Sequence, residues 1–287
     1  MQTLARTVKE QYLISKSFLQ SGKPLQITKT VYCKHPTIQE ILDIDFEHFG
    51  LHSEEIYYSM VGLFQTDPYI YMVFLDDHGV DYETVNSFEV FVLLYSEYMN
   101  KIISLQDEMS EDKISYLLHN NIYTRTFKFF FGIDDFYIAN DEDGNTVIAY
   151  GNGNFLFDKD TYKYIEEFIK RINGMPEIDK IYPEDNMAKQ ILLEDERVKL
   201  KNKAKKEQNE NDHENISRLG DLLSNVTWVS NGGITPFNRT ELHIYDLIDA
   251  LHKTDKYLNY QNTMTGLYSG CIDNKKINMK EIHWSTE

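Results

Sequence analysis

The stretch Glu194–Asn215, which reads EDERVKLKNKAKKEQNENDHEN, divides the chain into two parts. It lies within a longer segment, Pro183–Thr227, that contains no aromatic residue, although aromatic residues make up 13% of the 287-residue chain. A segment with so little apolar surface cannot offset the entropy lost on ordering unless it forms a solvated helix. The pattern therefore predicts a charged helix from Asn186 to about Lys206 and a flexible stretch over Asn209–Asn215.

The sequences on either side of this segment are rich in aromatic residues and predict two folded lobes. The chain contains 20 Tyr and 16 Phe, and each buried ring contributes a large apolar area to a core. We predict an α+β fold in three parts. These are an acidic, mainly helical lobe with a small antiparallel sheet (1–183), a charged helix and flexible linker (184–215), and a small, mainly helical lobe (216–287).

The net charge of −17 is concentrated in the first lobe. Residues 1–193 carry 16 basic and 31 acidic side chains, a balance of −15, whereas residues 194–287 carry 13 and 15, a balance of −2. A lobe this acidic repels phosphate backbones, which argues against nucleic-acid binding. The charge favours solubility, and it would also suit a basic protein partner.

The cysteine content and the first residues indicate a cytoplasm-like compartment. Cys33 and Cys271 are too few for a disulfide framework, so we interpret both as reduced thiols. Residues 1–20 lack the apolar core of a signal peptide, and the spacing of Leu4, Val8 and Tyr12 predicts an amphipathic helix instead. The longest apolar-rich run, 69–75, is too short to span a bilayer, so we expect no membrane insertion.

Hydrophobic periodicity predicts the elements of both lobes. The alternation over Leu25–Cys33 predicts one strand, and Thr37 with Glu40 forms a capping box at the start of a helix. Predicted helices cover 37–49, 53–65, 69–77, 87–103, 110–121, 161–172 (capped by Asp160), 216–226, 240–251 and 255–268, with a short last element over Ile277–Trp284. Predicted strands cover Phe127–Phe131, Phe136–Ile138, Thr146–Tyr150 and Phe155–Asp158, with a turn at Asp141–Asn145.

No motif in the sequence indicates a catalytic site. The chain lacks the G-x-S-x-G nucleophile elbow of serine hydrolases and the phosphate-binding G-x-x-x-x-G-K-[ST] loop. Three acidic pairs, 76–77, 134–135 and 166–167, are neighbours in sequence whose side chains point apart, so they indicate solvated surfaces. The basic cluster over 199–206 has no interleaved aromatic residue for base stacking and indicates a solvated helix. We expect no enzyme activity and no cofactor.

Two patterns resemble metal sites. Asp141–Asn145 resembles the start of a calcium loop, but position twelve is Asn152 rather than glutamate, which favours a β-turn. His48 and His52 lie four residues apart, yet Gly50 between them breaks a helix and a zinc site needs further ligands, for which Cys33 and His35 are weak candidates. A metal-dependent enzyme is therefore the less favoured alternative.

Several short motifs in both lobes resemble tail-morphogenesis proteins of tailed phages of Gram-positive bacteria, some of which are described as tail assembly chaperones. In the first lobe these motifs are PTIQEI at 36–41, YYSM at 57–60, TDPY at 66–69, LDDHGVDYE at 75–83 and FEVF at 88–91. In the second lobe they lie within Tyr257–Trp284 and are MTGLYSG at 264–270 and DNKKIN at 273–278. The family offers no catalytic residues to carry over.

The resemblance implies a non-enzymatic tail or baseplate assembly factor in the host cytoplasm. Its expected partners are phage tail proteins such as the tape measure or the tail tube, and a further expectation is that the chain itself forms an oligomer. The alternative is a structural subunit of the virion tail or baseplate. Among the second-lobe aromatics, Tyr245, Tyr268 and Trp284 are the candidate residues for docking on the first lobe or on a partner, because aromatic side chains anchor many interfaces. Core packing is the alternative role for each of them.

Overall fold

The computed structural model describes residues 14–44, 53–105, 109–209, 218–229, 233–271, 277–278 and 282–283. Within these ranges the chain has an α+β fold that is mainly helical and carries two small antiparallel sheets. Its helices are α1 (Lys16–Gln20), α2 (Ile38–Leu42), α3 (Ser53–Gly62), α4 (Met72–Asp77), α5 (Ser87–Ser104), α6 (Glu111–His119), α7 (Ile122–Phe131), α8 (Lys159–Ile172), α9 (Asn186–Asn209), α10 (Arg218–Val229) and α11 (Ile244–Tyr268). Its strands are β1 (Leu25–Gln26), β2 (Tyr32–Cys33), β3 (Phe136–Asn140), β4 (Thr146–Tyr150) and β5 (Asn154–Phe157).

The prediction of a single strand over Leu25–Cys33 is wrong, because the chain folds back on itself there. β1 and β2 form an antiparallel pair in which Leu25 lies opposite Cys33. The turn is closed by Ile27 N–H, which donates to Val31 O at 2.9 Å, and by Val31 N–H, which donates to Thr28 Oγ1 at 3.0 Å. The alternating apolar residues are buried as the pattern indicated, but they lie in a hairpin rather than along one strand.

The prediction of a strand over Phe127–Phe131 is also wrong, because these residues form the second half of α7. The side chain of Asn121 caps this helix by accepting from Thr124 N–H at 3.0 Å, and Gly132 ends it with φ 68°. The buried rings of α7 recur at helical spacing: they are Tyr123, Phe127, Phe130 and Phe131. A run of five residues with four Phe can satisfy a period of two or of 3.6, and the flanking caps select the helix.

The three-stranded sheet β3-β4-β5 confirms the predicted hairpin. Phe136 lies opposite Tyr150, and the Asp141–Asn145 turn joins the two strands. Asp141 Oδ1 accepts from Asn145 N–H at 2.7 Å and from Asp143 N–H at 3.0 Å. The carboxylate thus closes the turn, as expected for Asp at this position.

The cap of α8 and the division of the last long helix differ from the prediction. α8 is capped by Asp158, whose Oδ1 accepts from Thr161 N–H at 2.8 Å, rather than by Asp160. The predicted pair of helices over 240–251 and 255–268 is one continuous helix, α11. No proline or glycine lies between Ile244 and Thr265 to interrupt it.

One large core is shared by the N-terminal elements and by α10 and α11. Its centre is aromatic, with Phe127 stacked on Phe136 at a ring-centroid distance of 3.6 Å. The C-terminal helices contribute Leu219, Leu223, Val226, Ile244 and Leu247 to the same cluster. A smaller cluster around Met72 and Val90 receives Leu193 of α9. The proposed boundaries at 183 and 215 stay a prediction.

Three sequence predictions fall outside the described residues. They concern the helix of Leu4, Val8 and Tyr12, the stretch after Asn209, and most of Ile277–Trp284. No helix within the described ranges has the length and apolar content needed to cross a membrane.

Candidate interaction surface

The C-terminal helices are attached to the N-terminal elements by main-chain hydrogen bonds. Ile38 N–H donates to Leu242 O at 2.8 Å, and Gln39 N–H donates to Thr240 O at 2.8 Å. In the reverse direction, Ile244 N–H donates to Pro36 O at 3.0 Å. The strand-like segment before α2 therefore pairs with the segment before α11 and fixes where α11 begins.

Two glycines allow α11 to approach the N-terminal elements closely. A Cβ added at Gly22 would lie 2.3 Å from His243 Nε2, and one added at Gly174 would lie 2.7 Å from Ile248 Cγ2. Both glycines have positive φ values, 65° and 59°, which side-chain-bearing residues rarely adopt. The start of α11 therefore packs against positions 22 and 174, where only glycine leaves enough room.

The rings of His35 and His243 contact each other where the segments before α2 and α11 pair (the joint), with ring centroids 4.7 Å apart and ring planes tilted by 40°. The Nδ1 atom of His243 is 2.9 Å from His35 O, whereas both ring nitrogens of His35 are buried without a hydrogen-bond partner among the described residues. Burial and the neighbouring His243 lower the pKa of His35 to about 4. His35 is therefore a neutral packing residue at neutral pH.

A buried carboxylate attaches α10 to the same body. Glu54, in the first turn of α3, accepts a hydrogen bond of 2.9 Å from Leu219 N–H. Leu219 is the second residue of α10, where helix N–H groups lack intrahelical partners. A carboxylate 165 residues earlier in the chain thus supplies a cap for α10.

The C-terminal segment also presents three large aromatic side chains to solvent. The exposed fraction is 79% for Trp228, 93% for Phe237 and 84% for Tyr268. Trp228 lies nine residues after the buried Leu219, which places it about 180° around α10 from the side that packs on the core. These aromatics have no structural role in the core and are suited to anchoring a partner.

Of the three residues selected from the sequence, Tyr245 and Tyr268 are described, and they lie at opposite ends of α11. Tyr245 is half-buried and its ring lies 6.5 Å from that of His35, inside the joint. Tyr268 is the last residue of α11, 23 residues or about 34 Å further along the helix axis. Trp284 lies outside the described residues.

Sequence reasoning passed over Trp228 and Phe237 as interaction residues. Trp228 follows the apolar stripe of α10 by a spacing that places it on the polar side, and this offset is visible in the sequence. Phe237 follows Pro236 between the predicted helices 216–226 and 240–251, where a lone aromatic residue has no core to join. An aromatic residue that lies outside the apolar pattern of its element is the sequence signal that would have identified Trp228 and Phe237.

A separate cleft lies away from this surface. It has a volume of about 770 Å³ between α5, α8 and the segment that follows α8. Two of its carboxylates are in ion pairs: Asp67 Oδ2 is 2.8 Å from Lys180 Nζ, and Glu166 Oε1 is 2.5 Å from Lys170 Nζ. The hydrogen bond to Asp67 raises the pKa of Lys180, which keeps this amine charged and poorly suited as a base.

No cluster of three or more His, Cys, Asp or Glu side chains suited to a metal ion occurs in the described part of the chain. Within that part, Cys33 is fully buried, and burial raises the pKa of its thiol. The predicted pair His48 and His52 lies outside the described residues, so the metal hypothesis stays untested there.

The C-terminal part of the chain matches a family of known proteins. Residues 205–287 match the family model described as "YomV second domain", a phage-associated family from the Bacillus phage SPbeta region. No curated protein and no solved structure matches the chain. The matched range contains α10, α11 and all three exposed aromatics, so the C-terminal part of this chain is similar to a phage domain.

Proposed function

We propose that this chain is a non-enzymatic phage protein that acts in tail or baseplate assembly by binding other phage proteins. The observation that carries the proposal is the coincidence of two features in one segment. Residues 205–287 are similar to a phage-associated domain, and the same residues present Trp228, Phe237 and Tyr268 to solvent. Exposed Trp and Tyr side chains are typical anchors of protein interfaces.

The proposed partners are the tape-measure and tail-tube proteins of the same phage, bound in the host cytoplasm. The acidic N-terminal part, with a balance of −15 over residues 1–193, supports solubility of a complex and favours a basic partner segment.

Co-expression with the phage's own tail proteins tests this proposal. We expect the tagged chain to co-purify with a tape-measure or tail-tube protein and to be lost from mature virions. Failure to retain any tail protein would contradict the proposal. Recovery of the chain at a fixed copy number in purified virions would instead assign it as a structural subunit of the tail or baseplate.

A further inference from the structure

The strand β3 forms one edge of the three-stranded sheet. The strand order is β3-β4-β5, so β4 lies on one side of β3, and among the described residues no strand lies on the other side. β3 reads FYIAN and pairs with β4 in an unbroken register. It contains no proline, no charged residue and no bulge, which are features that commonly block pairing at a sheet edge. The edge is therefore suited to pair with a further strand.

The direction of the main-chain groups of β3 follows from the turn that ends it. Asp141 N–H donates to Asn145 O at 2.9 Å. Hydrogen-bonded pairs alternate along an antiparallel ladder, so Tyr137 and Ala139 are the residues that bond to β4. The outward N–H and C=O groups belong to Phe136, Ile138 and Asn140. Within the described part of the chain these outward groups have no hydrogen-bond partner, so an added strand can supply one.

Carboxylates flank both ends of β3. Residues 134–135 precede the strand and residues 141–143 follow it, and all of them are acidic and exposed. Asp134 Oδ1 lies 2.8 Å from Lys128 Nζ, and the carboxylate of Asp141 closes the turn. The other three carboxylates are in no ion pair with another described residue. A strand added at this edge therefore meets uncompensated negative charge at each of its ends.

These charges decide which kind of strand fits the edge. A second copy of this chain that paired its own β3 in antiparallel orientation would bring its Asp135 beside residues 141–143 of the first copy. Parallel pairing would bring identical carboxylates together. Like charges on facing strands oppose pairing, whereas a strand with basic residues at its ends is attracted at both ends in either orientation. The flanks thus disfavour self-pairing and favour a basic partner.

We infer that β3 binds an extended segment of a partner protein, which adds to the sheet as a strand beside β3 and carries lysine or arginine on both sides of an uncharged core. Residues 135–141 span about 20 Å, so the basic residues of the partner stand about six positions apart. Main-chain hydrogen bonds attach the segment, and the flanking charges give the preference for basic sequences. The inference adds a site to the proposed function and rests on it only for the source of the segment, a phage tail protein.

Fluorescence anisotropy of labelled peptides with the full chain tests the charges and the main-chain bonds separately. The probe is a synthetic peptide of about nine residues, with lysines at both ends of an alternating threonine and valine core. One control peptide has glutamates in place of the lysines, and the other has N-methyl groups on every core amide. We expect both controls to bind about 10-fold or more weakly than the lysine peptide. Equal binding of the N-methylated peptide would overturn the inference, as would no binding of the lysine peptide at about 1 mM.

Charge reversal on the protein locates the contact at β3. Asp135→Lys with Glu142→Lys is expected to weaken binding of the lysine peptide about 10-fold or more and to strengthen binding of the glutamate peptide. Glu241→Lys with Asp255→Lys changes the net charge equally at two exposed carboxylates of the C-terminal segment and should leave binding close to that of the wild type. Equal losses in the two double variants would overturn the assignment to β3.

Amide hydrogen exchange measured by NMR tests whether the edge is open. In the free chain the outward N–H groups of Ile138 and Asn140 should exchange faster than the inward N–H groups of Tyr137 and Ala139, and the lysine peptide should slow the outward pair. Protection of Ile138 and Asn140 in the free chain would show that the chain covers its own edge and would overturn the inference. If the peptides fail to bind while the chain still co-purifies with tail proteins, this site is wrong and the proposed function stands.

Discussion

The carboxylate of Glu54 accepts a hydrogen bond of 2.9 Å from Leu219 N–H, although the two residues lie 165 positions apart in the chain. Glu54 Oε2 is buried at this contact, where no solvent competes for the N–H group. The bond places a negative charge at the positive end of the α10 dipole. It therefore links the docking of α10 to the position of α3.

Substitution of Glu54 should destabilise the fold through this bond. Glu54→Ala leaves the Leu219 N–H buried without an acceptor, and we expect a loss of about 1–3 kcal/mol in the free energy of unfolding. Glu54→Gln keeps an acceptor but loses the charge, so its loss should be smaller. Urea denaturation measures both. Glu111→Gln removes an exposed first-turn carboxylate from α6 and should cost less than about 0.5 kcal/mol; an equal loss for the two Gln variants would contradict this reading.

Substitution of Gly174 should reveal how tightly α11 is seated. Gly174→Ala combines a positive φ of 59° with a Cβ placed 2.7 Å from Ile248 Cγ2. Gly144→Ala has a φ of 80° but no atom within 4 Å, so it reports the backbone term alone, about 1–2 kcal/mol. We expect Gly174→Ala to lower the free energy of unfolding by about 1–3 kcal/mol more than Gly144→Ala does, because Ile248 is packed against this position. Ile248→Ala should reduce that excess in a double-mutant cycle, and additivity of the two changes would argue against the contact.

The buried His35 should make stability depend on pH in a defined window. Its pKa in the folded state is lowered to about 4, below the ordinary value of 6.5, so the unfolded chain binds a proton first as the pH falls. The contribution of His35 to stability is complete above pH 6.5 and is lost progressively down to about pH 4, by about 3 kcal/mol in total. His35→Phe keeps an aromatic ring and removes this titration. Between pH 6.5 and about pH 4, the free energy of unfolding of His35→Phe should fall less than that of the wild type. Parallel curves of unfolding free energy against pH for the two proteins would contradict the prediction.

The exposed aromatics of the C-terminal segment should matter for binding but not for folding. Trp228→Ala and Phe237→Ala remove side chains with exposed fractions of 79% and 93%, so we expect the free energy of unfolding to change by less than about 0.5 kcal/mol. Binding to the co-purifying tail protein should fall about 10-fold or more if either residue is an anchor. Tyr182→Ala, with an exposed fraction of 76% outside the matched segment, is the control. Unchanged binding in the first two variants would remove this surface from the proposed function.

Local signals predicted the parts of the fold that are decided by neighbouring residues. The Thr37–Glu40 capping box is present, with Thr37 N–H donating to Glu40 Oε2 at 2.9 Å and Glu40 N–H donating to Thr37 Oγ1 at 3.2 Å. The 18-residue helix α5 is likewise where its apolar period placed it. Both depend on residues within a few positions of one another, which a single sequence displays directly.

The sequence-based prediction is wrong where the structure depends on residues far apart in the chain or on a pattern that fits both a helix and a strand. The Phe127–Phe131 run fits both periods, and only the caps at Asn121 and Gly132 distinguish them. The packing position of α11 depends on Gly22 and Gly174, which are far from this helix in the sequence. No local pattern indicates that Glu54 caps α10, because the contact exists only after both elements have packed.

Trypsin should cut the native chain first in the second half of α9. Leu193 is buried and Arg197 is held by Asp76 and Asp77, whereas residues 198–205 are all exposed. Local opening is easiest where no buried side chain opposes it, so we expect cleavage within Lys199–Lys205 before cleavage after Lys189 or Arg197. The products should be an N-terminal fragment and a C-terminal fragment of about 10 kDa, in proportion to 33.8 kDa over 287 residues.

The two tryptic fragments should stay together after the cut, because α10 and α11 share the core of the N-terminal elements. Leu247 is fully buried there, and Leu247→Ala should release the C-terminal fragment at a lower urea concentration, with a loss of about 2–5 kcal/mol. Trp284→Ala tests the sequence-based prediction that this residue also holds the fragments together. Size-exclusion chromatography of the cut protein gives the readout. Resistance of the lysine-rich half of α9 to trypsin would show that it is packed, and release of the fragment without any substitution would show that the shared core does not hold the two parts together.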